Sequence, residues 1–150
     1  MFYAAALMVI ILDQVIKQLV VFTLRLGQSF PIIQNVLNFT YVRNQGAAWG
    51  LFTGQSTFLL IVAVAVILFV LYYHYNLDRK DIIQLGLGLI LGGSLGNTID
   101  RVTRGYVVDY LDFIIFPVFN LADMMINLGV FVVFIRLFFS REDRDVTSPL

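Results

Sequence analysis

LFTGQSTFLLIVAVAVILFVLYY, residues 51–73, decides the solvent in which this chain folds. The run contains no Asp, Glu, Lys, Arg or His. At about 1.5 Å per residue, a helix of this length reaches across the roughly 30 Å of a lipid hydrocarbon layer. Three further stretches, residues 1–22, 82–99 and 119–139, are long and apolar enough to do the same. Composition agrees. A chain of 150 residues that is 59% hydrophobic and 13% charged, with a mean hydropathy of +0.86, carries more apolar surface than one small water-soluble core can hide. The expected fold class is an all-α membrane protein of four transmembrane helices, one domain over residues 1–150.

Outward from that run, the other segments take their places. The first span lacks a basic leader and carries Asp13, Gln14, Lys17 and Gln18 where a signal peptide has a clean apolar core, so it is expected to stay as a membrane helix. Four spans put both termini and the loop 74–81 on one side. Arg79, Lys80, Arg136, Arg141 and Arg144 lie on that side, against Arg25, Arg43, Arg101 and Arg104 on the other, a margin of one that favours termini in the cytoplasm. The connections 23–50 and 100–118 then lie on the opposite face and are too apolar for free linkers. LNFTYV (37–42) and YVVDYL (106–111) are rich in β-branched and aromatic residues, and read as short strands at the membrane surface. The tail 140–150 reads as mobile.

Charge and residue inventory narrow the chemistry. Ten Lys plus Arg balance ten Asp plus Glu, leaving no basic field for nucleic acid. With no cysteine there is no thiolate nucleophile or Cys-ligated metal, and the single His74 leaves little for a zinc site or a Ser-His triad. Chemistry falls to carboxylates.

Ionisable groups inside spans are costly and call for partners. Asp13 and Lys17, at i and i+4, read as a self-satisfying ion pair with Lys17 snorkelling outward. In LGLGLILGGSLGNTIDR (85–101), Gly88, Gly92 and Gly96 share one face that lets a neighbouring helix approach closely. The same segment ends in Asn97, Asp100 and Arg101, of which the last two also fit an interfacial charge pair. FNLADMMIN (119–127) sets Asn120, Asp123 and Asn127 on one face, with Asn120 placed as N-cap and Asp123 in the first turn. Asp109 and Asp112 sit in the apolar strand-like run, and one of them is expected to point into a buried site. A bend at Phe116-Pro117 lets Asp109 fold back toward Asp123. Two close carboxylates share a proton, leaving one as base for a water and the other as acid.

Five segments, in order along the chain, resemble the bacterial lipoprotein signal peptidases: DQVIK (13–17), RNQGAAWG (43–50), GGSLGNTIDR (92–101), GYVVD (105–109) and FNLAD (119–123). Trp49 stands where phenylalanine is more usual in that family, which touches substrate shape and not chemistry. The resemblance implies four transmembrane helices with a small extracytoplasmic β-cradle and a short surface helix. It implies an aspartic endopeptidase that cuts prolipoproteins before a diacylglyceryl-modified cysteine. Catalysis would fall to Asp109 and Asp123, supported by Asp13, Lys17, Asn44, Gly46, Asn97, Asp100, Arg101 and Asn120. Gly46 equally fits a turn glycine of positive φ. No metal or organic cofactor is implied. The partners are the lipid-modified substrate and membrane lipid, with no obligate protein partner. The expected location is the bacterial plasma membrane, with the site toward the outer face. A small proton- or cation-coupled carrier is the alternative, but carriers often show paired repeats with broken helices, and here the acids gather near one face.

Overall fold

The computed structural model describes residues 1–46, 51–78 and 81–146, with side chains through residue 139. Its elements in chain order are α1 (Phe2–Thr23), β1 (Ser29–Ile33), β2 (Leu37–Asn44), α2 (Ser56–Asn76), α3 (Ile83–Arg104), β3 (Val107–Phe113) and α4 (Leu121–Val146). The protein is mostly helical, with one small sheet. Three helical segments, Phe2–Thr23, Ser56–Asn76 and Leu121–Phe139, are long and apolar enough to cross a membrane by length and composition. Their outer faces present large apolar side chains such as Leu7, Ile11, Val15, Ile61, Leu68, Phe131 and Phe134, as suits a lipid solvent.

α3 differs from the other three because it is the inner helix. Its glycines replace side-chain packing with backbone contact on two faces. A methyl group on Gly92 would stand 2.7 Å from the Ala6 carbonyl oxygen, and one on Gly88 2.5 Å from that of Phe2, so this face lies flat on α1. The expected glycine face therefore has its neighbour. A second face, not anticipated, lies on α4: a methyl group on Gly86 would meet the Gly129 carbonyl at 2.8 Å, and one on Gly129 the Gly86 carbonyl at 2.5 Å. Such mutual approach is open only to residues without a side chain.

α2 is attached differently. Its buried residues are Val70 and His74, both near its C-terminal end. There the His74 ring stacks on Phe2 at 3.8 Å, and its Nδ1 lies 2.6 Å from Gln84 Oε1. The Gln84 amide in turn donates to the carbonyls of His74, Leu77 and Asp78, which satisfies groups a helix end leaves unpaired.

The sheet has order β1-β2-β3 and is antiparallel throughout. β2 and β3 confirm the two expected strands and run longer than read, to Asn44 and Phe113. β1 was not anticipated; it holds Pro31, which an edge strand tolerates. After β3 the chain turns back: Leu111 and Phe119 exchange backbone hydrogen bonds at 2.8 and 3.0 Å, delivering the chain to the head of α4. The expected bend near Pro117 thus exists as a bridge. α4 continues to Val146, so most of the expected free tail is helical. The expected short surface helix is not among the elements of the described residues. Trp49 and the basic pair Arg79 and Lys80 lie outside those residues.

Candidate active site

The sheet's last strand and the heads of two helices converge at one end of the bundle, where they line a cavity of ≈ 580 Å³. Asp109 enters it from β3. Strand alternation sends Val108 the other way, into the cluster with Val20 and Tyr41, so Asp109 follows from the apolar pattern around it. Its carboxylate accepts hydrogen bonds from Asn44 Nδ2 at 2.9 Å and from Asn120 Nδ2 at 2.6 Å. Asp123 stands on the first turn of α4. Its Oδ2 accepts the Asn120 amide at 3.2 Å, while Asn120 Oδ1 accepts the Asp123 amide at 3.0 Å. This is a reciprocal capping box, so Asn120 is the N-cap and also bonds Asp109. The expected placements, Asn120 as N-cap and Asp123 in the first turn, both hold. Asp123 Oδ1 accepts from Asn97 Nδ2 at 2.7 Å.

Beneath the two acids lies a buried charge cluster. Lys17 is fully buried; the expectation that it snorkels outward is wrong, because α3 supplies an acid and an amide that draw it inward. Its ammonium lies 2.9 Å from Asp13 and 3.3 Å from Asp100, and donates to Asn97 Oδ1 at 2.8 Å. Asp13 accepts the Ala122 amide at 3.1 Å, and Asp100 accepts the Val108 amide at 3.0 Å, so each acid also pins the backbone that presents a site residue. Arg104 Nε approaches Asp100 Oδ1 to 3.3 Å, but that oxygen has no hydrogen-bond partner, so the contact is one of charge alone. Two cations thus balance two buried acids, as a dry site requires. Arg104 was not anticipated, although its i+4 spacing from Asp100 was visible in the sequence.

Arg101 does not pair with Asp100. Its guanidinium reaches across to the Gly46 carbonyl at 3.3 Å and lies within electrostatic range of Asp109 and Asp123. Gly46 is not a positive-φ glycine: the described residues with that backbone are Asn35, Phe52, Gly27, Gly54 and Gly105. It is glycine for space, since a methyl group there would meet the Leu51 carbonyl oxygen at 2.6 Å. Its amide donates to Asn44 Oδ1 at 2.9 Å, which orients the Asn44 amide toward Asp109. Asp112 stays apart on the sheet, where Thr40 Oγ1 donates to it at 2.8 Å.

Burial pushes the Asp109 carboxyl up to about 7, and the nearby charge of Asp123 adds to this against the two amide donors. The remaining wall of the cavity is apolar and comes mainly from α2 and α4: Leu59, Val62, Ala63, Val66 and Ile126. No group of three or more His, Cys, Asp and Glu side chains among the described residues has metal-binding placement. Such an arrangement offers two carboxylates joined through amides, one titrating near neutrality, at the mouth of an apolar slot.

The chain has close relatives. A family model described as Signal peptidase (SPase) II matches residues 5–139. A protein named lipoprotein signal peptidase from Halothermothrix orenii is 46% identical over 137 residues, 91% of this chain and 94% of that one. Another of that name from Bacillus velezensis is 43% identical over 93% of this chain and 94% of its own. Among solved structures, one titled as a bacterial membrane enzyme determined by the in meso method aligns with a TM-score of 0.85 at 36% identity, covering 98% of this chain and 91% of that one. A second of similar title gives 0.78 at 38% identity, covering 89% and 90%. Matched over nearly its whole length by the family model and by relatives far above 30% identity, this multi-pass bacterial membrane protein belongs to the signal peptidase II family.

Proposed function

We propose that this chain removes signal peptides from prolipoproteins as an aspartic endopeptidase, with Asp109 and Asp123 as its catalytic pair. The observation that carries this reading is the placement of both carboxylates, joined through Asn120 and Asn97, on one cavity whose far wall is apolar. Asp109 near neutrality supports a pair that holds one proton between two acids. The ionised carboxylate takes a proton from water as that water attacks the scissile carbonyl. The protonated one gives its proton to the leaving amine, and the peptide bond breaks.

Supporting roles follow from contacts. Asn44 and Asn120 aim Asp109, and Asn97 aims Asp123. Asp13, Lys17 and Asp100 hold the end of α3, the start of β3 and the head of α4 in register beneath them. Arg101 ties the Gly46 loop over the cavity mouth. The wall of Leu59, Val62, Ala63, Val66 and Ile126 receives the acyl chains of the modified cysteine and the apolar signal peptide. α3 is the fourth crossing. With 22 residues it has the same length as α1, and as an inner helix it needs no apolar exterior. Both termini lie in the cytoplasm, and the site faces outward in the plasma membrane.

The test is incubation of the purified protein, in detergent, with a prolipoprotein carrying the diacylglyceryl cysteine. Cleavage before that cysteine is expected without any ion gradient, which also excludes the carrier alternative. A protein that stays folded, retains the substrate and leaves it uncut would overturn the reading.

A further inference from the structure

Arg43 opens the RNQGAAWG segment, yet the site leaves it unused. On β2 it alternates with Asn44, so when Asn44 faces the cavity Arg43 faces away. There its guanidinium lies over the Tyr106 ring, 4.7 Å from the centroid, and its Nε donates to the Tyr41 hydroxyl at 3.1 Å. The two tyrosine hydroxyls are 3.5 Å apart. This seat fixes the guanidinium through its ring-facing plane and one N–H at an exposed position, and no bond among the described residues uses its terminal amino groups.

A second guanidinium comes to the same corner by sequence. Arg104 ends α3, Gly105 turns the chain with φ of 77°, and Tyr106 follows. Arg104 Nη2 donates to Gln18 on α1 at 2.8 Å. Arg25 lies in the turn after α1, which is held beside Tyr41 by a hydrogen bond from the Tyr41 backbone N–H to the Gln28 carbonyl. Neither Arg25 nor Arg43 has a carboxylate partner among the described residues, and Arg104 meets only the buried Asp100. Around this corner the surface is apolar: Leu19 and Phe22 on α1 and Val102 on α3 are all more than half exposed. A cationic, aromatic-backed patch thus sits at the end of the lipid-facing band, where headgroup phosphates lie.

We propose that Arg43, seated against Tyr41 and Tyr106, and Arg104, two residues before Tyr106 in the chain, bind the phosphodiester of an anionic phospholipid in the leaflet beside the cavity. Charge complementarity and the adjoining apolar surface select a lipid over a soluble anion: the phosphate meets two guanidiniums while the acyl chains run down past Phe22 and Leu19. Arg104 also touches Asp100, so the bound lipid rests on the cluster that supports the site.

The experiment is native mass spectrometry of the intact protein released from bilayers mixing phosphatidylglycerol with phosphatidylcholine. Wild type is expected to retain phosphatidylglycerol selectively, and Arg43→Gln to lose about tenfold of that selectivity, the worth of one charge-assisted contact. Equal selectivity in wild type and Arg43→Gln overturns the proposal. So does displacement of the lipid by inorganic phosphate, which marks a free-anion site, or by an aspartate-rich peptide at equal concentration, which marks a docking site for an acidic segment. Should Arg43→Gln fail to fold, Arg43→Lys keeps the charge and loses the planar fork; reduced selectivity is expected there, and wild-type selectivity overturns the proposal.

Discussion

Asp109 receives two amide donors, which by themselves would favour its charged form, and still its carboxyl is raised to about 7. Burial outweighs them, and the charge of Asp123 works in the same direction. This has a stability consequence with a definite sign. Below the ordinary value of 3.8 both folded and unfolded chains hold the proton; between there and about 7 the unfolded chain releases it first, so stability falls as pH rises through that window. Asp109→Asn removes the loss. Its melting temperature in detergent is expected to fall less steeply than that of wild type between pH 4 and 7, the corresponding difference in stability reaching at most roughly 4 kcal/mol. Parallel curves for the two proteins would refute the assignment. Activity answers a separate question. Asp109→Asn and Asp123→Asn each keep size and most hydrogen bonding, yet neither can exchange the shared proton, so each is expected to abolish cleavage, and the double variant to be no worse than either. Asp112→Asn, which disturbs only the Thr40 contact, should keep most turnover. Retention by folded Asp109→Asn with loss by Asp112→Asn would mean that the other acid of the strand does the work. The residues alone left open which of the two acids points into a buried site, since both occupy an apolar strand. The backbone register turns Asp109 inward and Asp112 toward Thr40.

Helices that meet through glycines are legible when the glycines repeat at one period and hidden when they do not. Gly88, Gly92 and Gly96 step by four and announced a contact face, which lies on α1. Gly86 and Gly93 face α4 with no such run, and their partners, Gly129 for the first and Ala122 for the second, are on another helix, so only the folded chain pairs them. The direction of Lys17 was hidden for the same reason: the i+4 acid Asp13 was visible, but Asp100 and Asn97 come from α3 and draw the ammonium inward. β1 escaped notice because SFPII is short and holds a proline that only an edge permits. Gly92→Leu tests the visible face. Its side chain would have to displace the Ala6 backbone and Val9, both 2.7 Å from the first added carbon, so the cost is on the order of 3 kcal/mol and the yield or melting temperature in detergent falls. A variant that folds and melts like wild type would mean that α1 and α3 separate freely. Leu68→Ala on the lipid side of α2 provides the contrast, since that side chain is 61% exposed and touches the bundle little.

Across the whole molecule, polarity is sorted toward one end. The two acids, their amides, the buried charge cluster and the sheet all gather where α1 ends, α3 ends and α4 begins, while the His74 and Gln84 clasp holds the opposite end. The sequence made this sorting readable because charged and amide residues inside long apolar runs are few and each demands a partner. What the sequence could not carry was sidedness, since five basic residues against four scarcely orient a chain. The arrangement of the elements supplies a direct way to measure it. If α3 is the fourth crossing, as proposed, the turn after β3 and the end of α2 lie on opposite sides of the membrane, and both offer exposed positions: Ile115 at 90% and Tyr75 at 67%. The chain has no cysteine, so a single engineered one reports its own location without background removal. In intact cells an impermeant maleimide should label Ile115→Cys and spare Tyr75→Cys, and disrupting the cells should open Tyr75→Cys to the same reagent. The reverse pattern would turn the protein over and put the cavity in the cytoplasm. Labelling of both positions in intact cells would place the two loops on one side, which an odd number of crossings between them forbids. α3 could not then span, and the inner-helix account of its glycines and buried charges would fail with it.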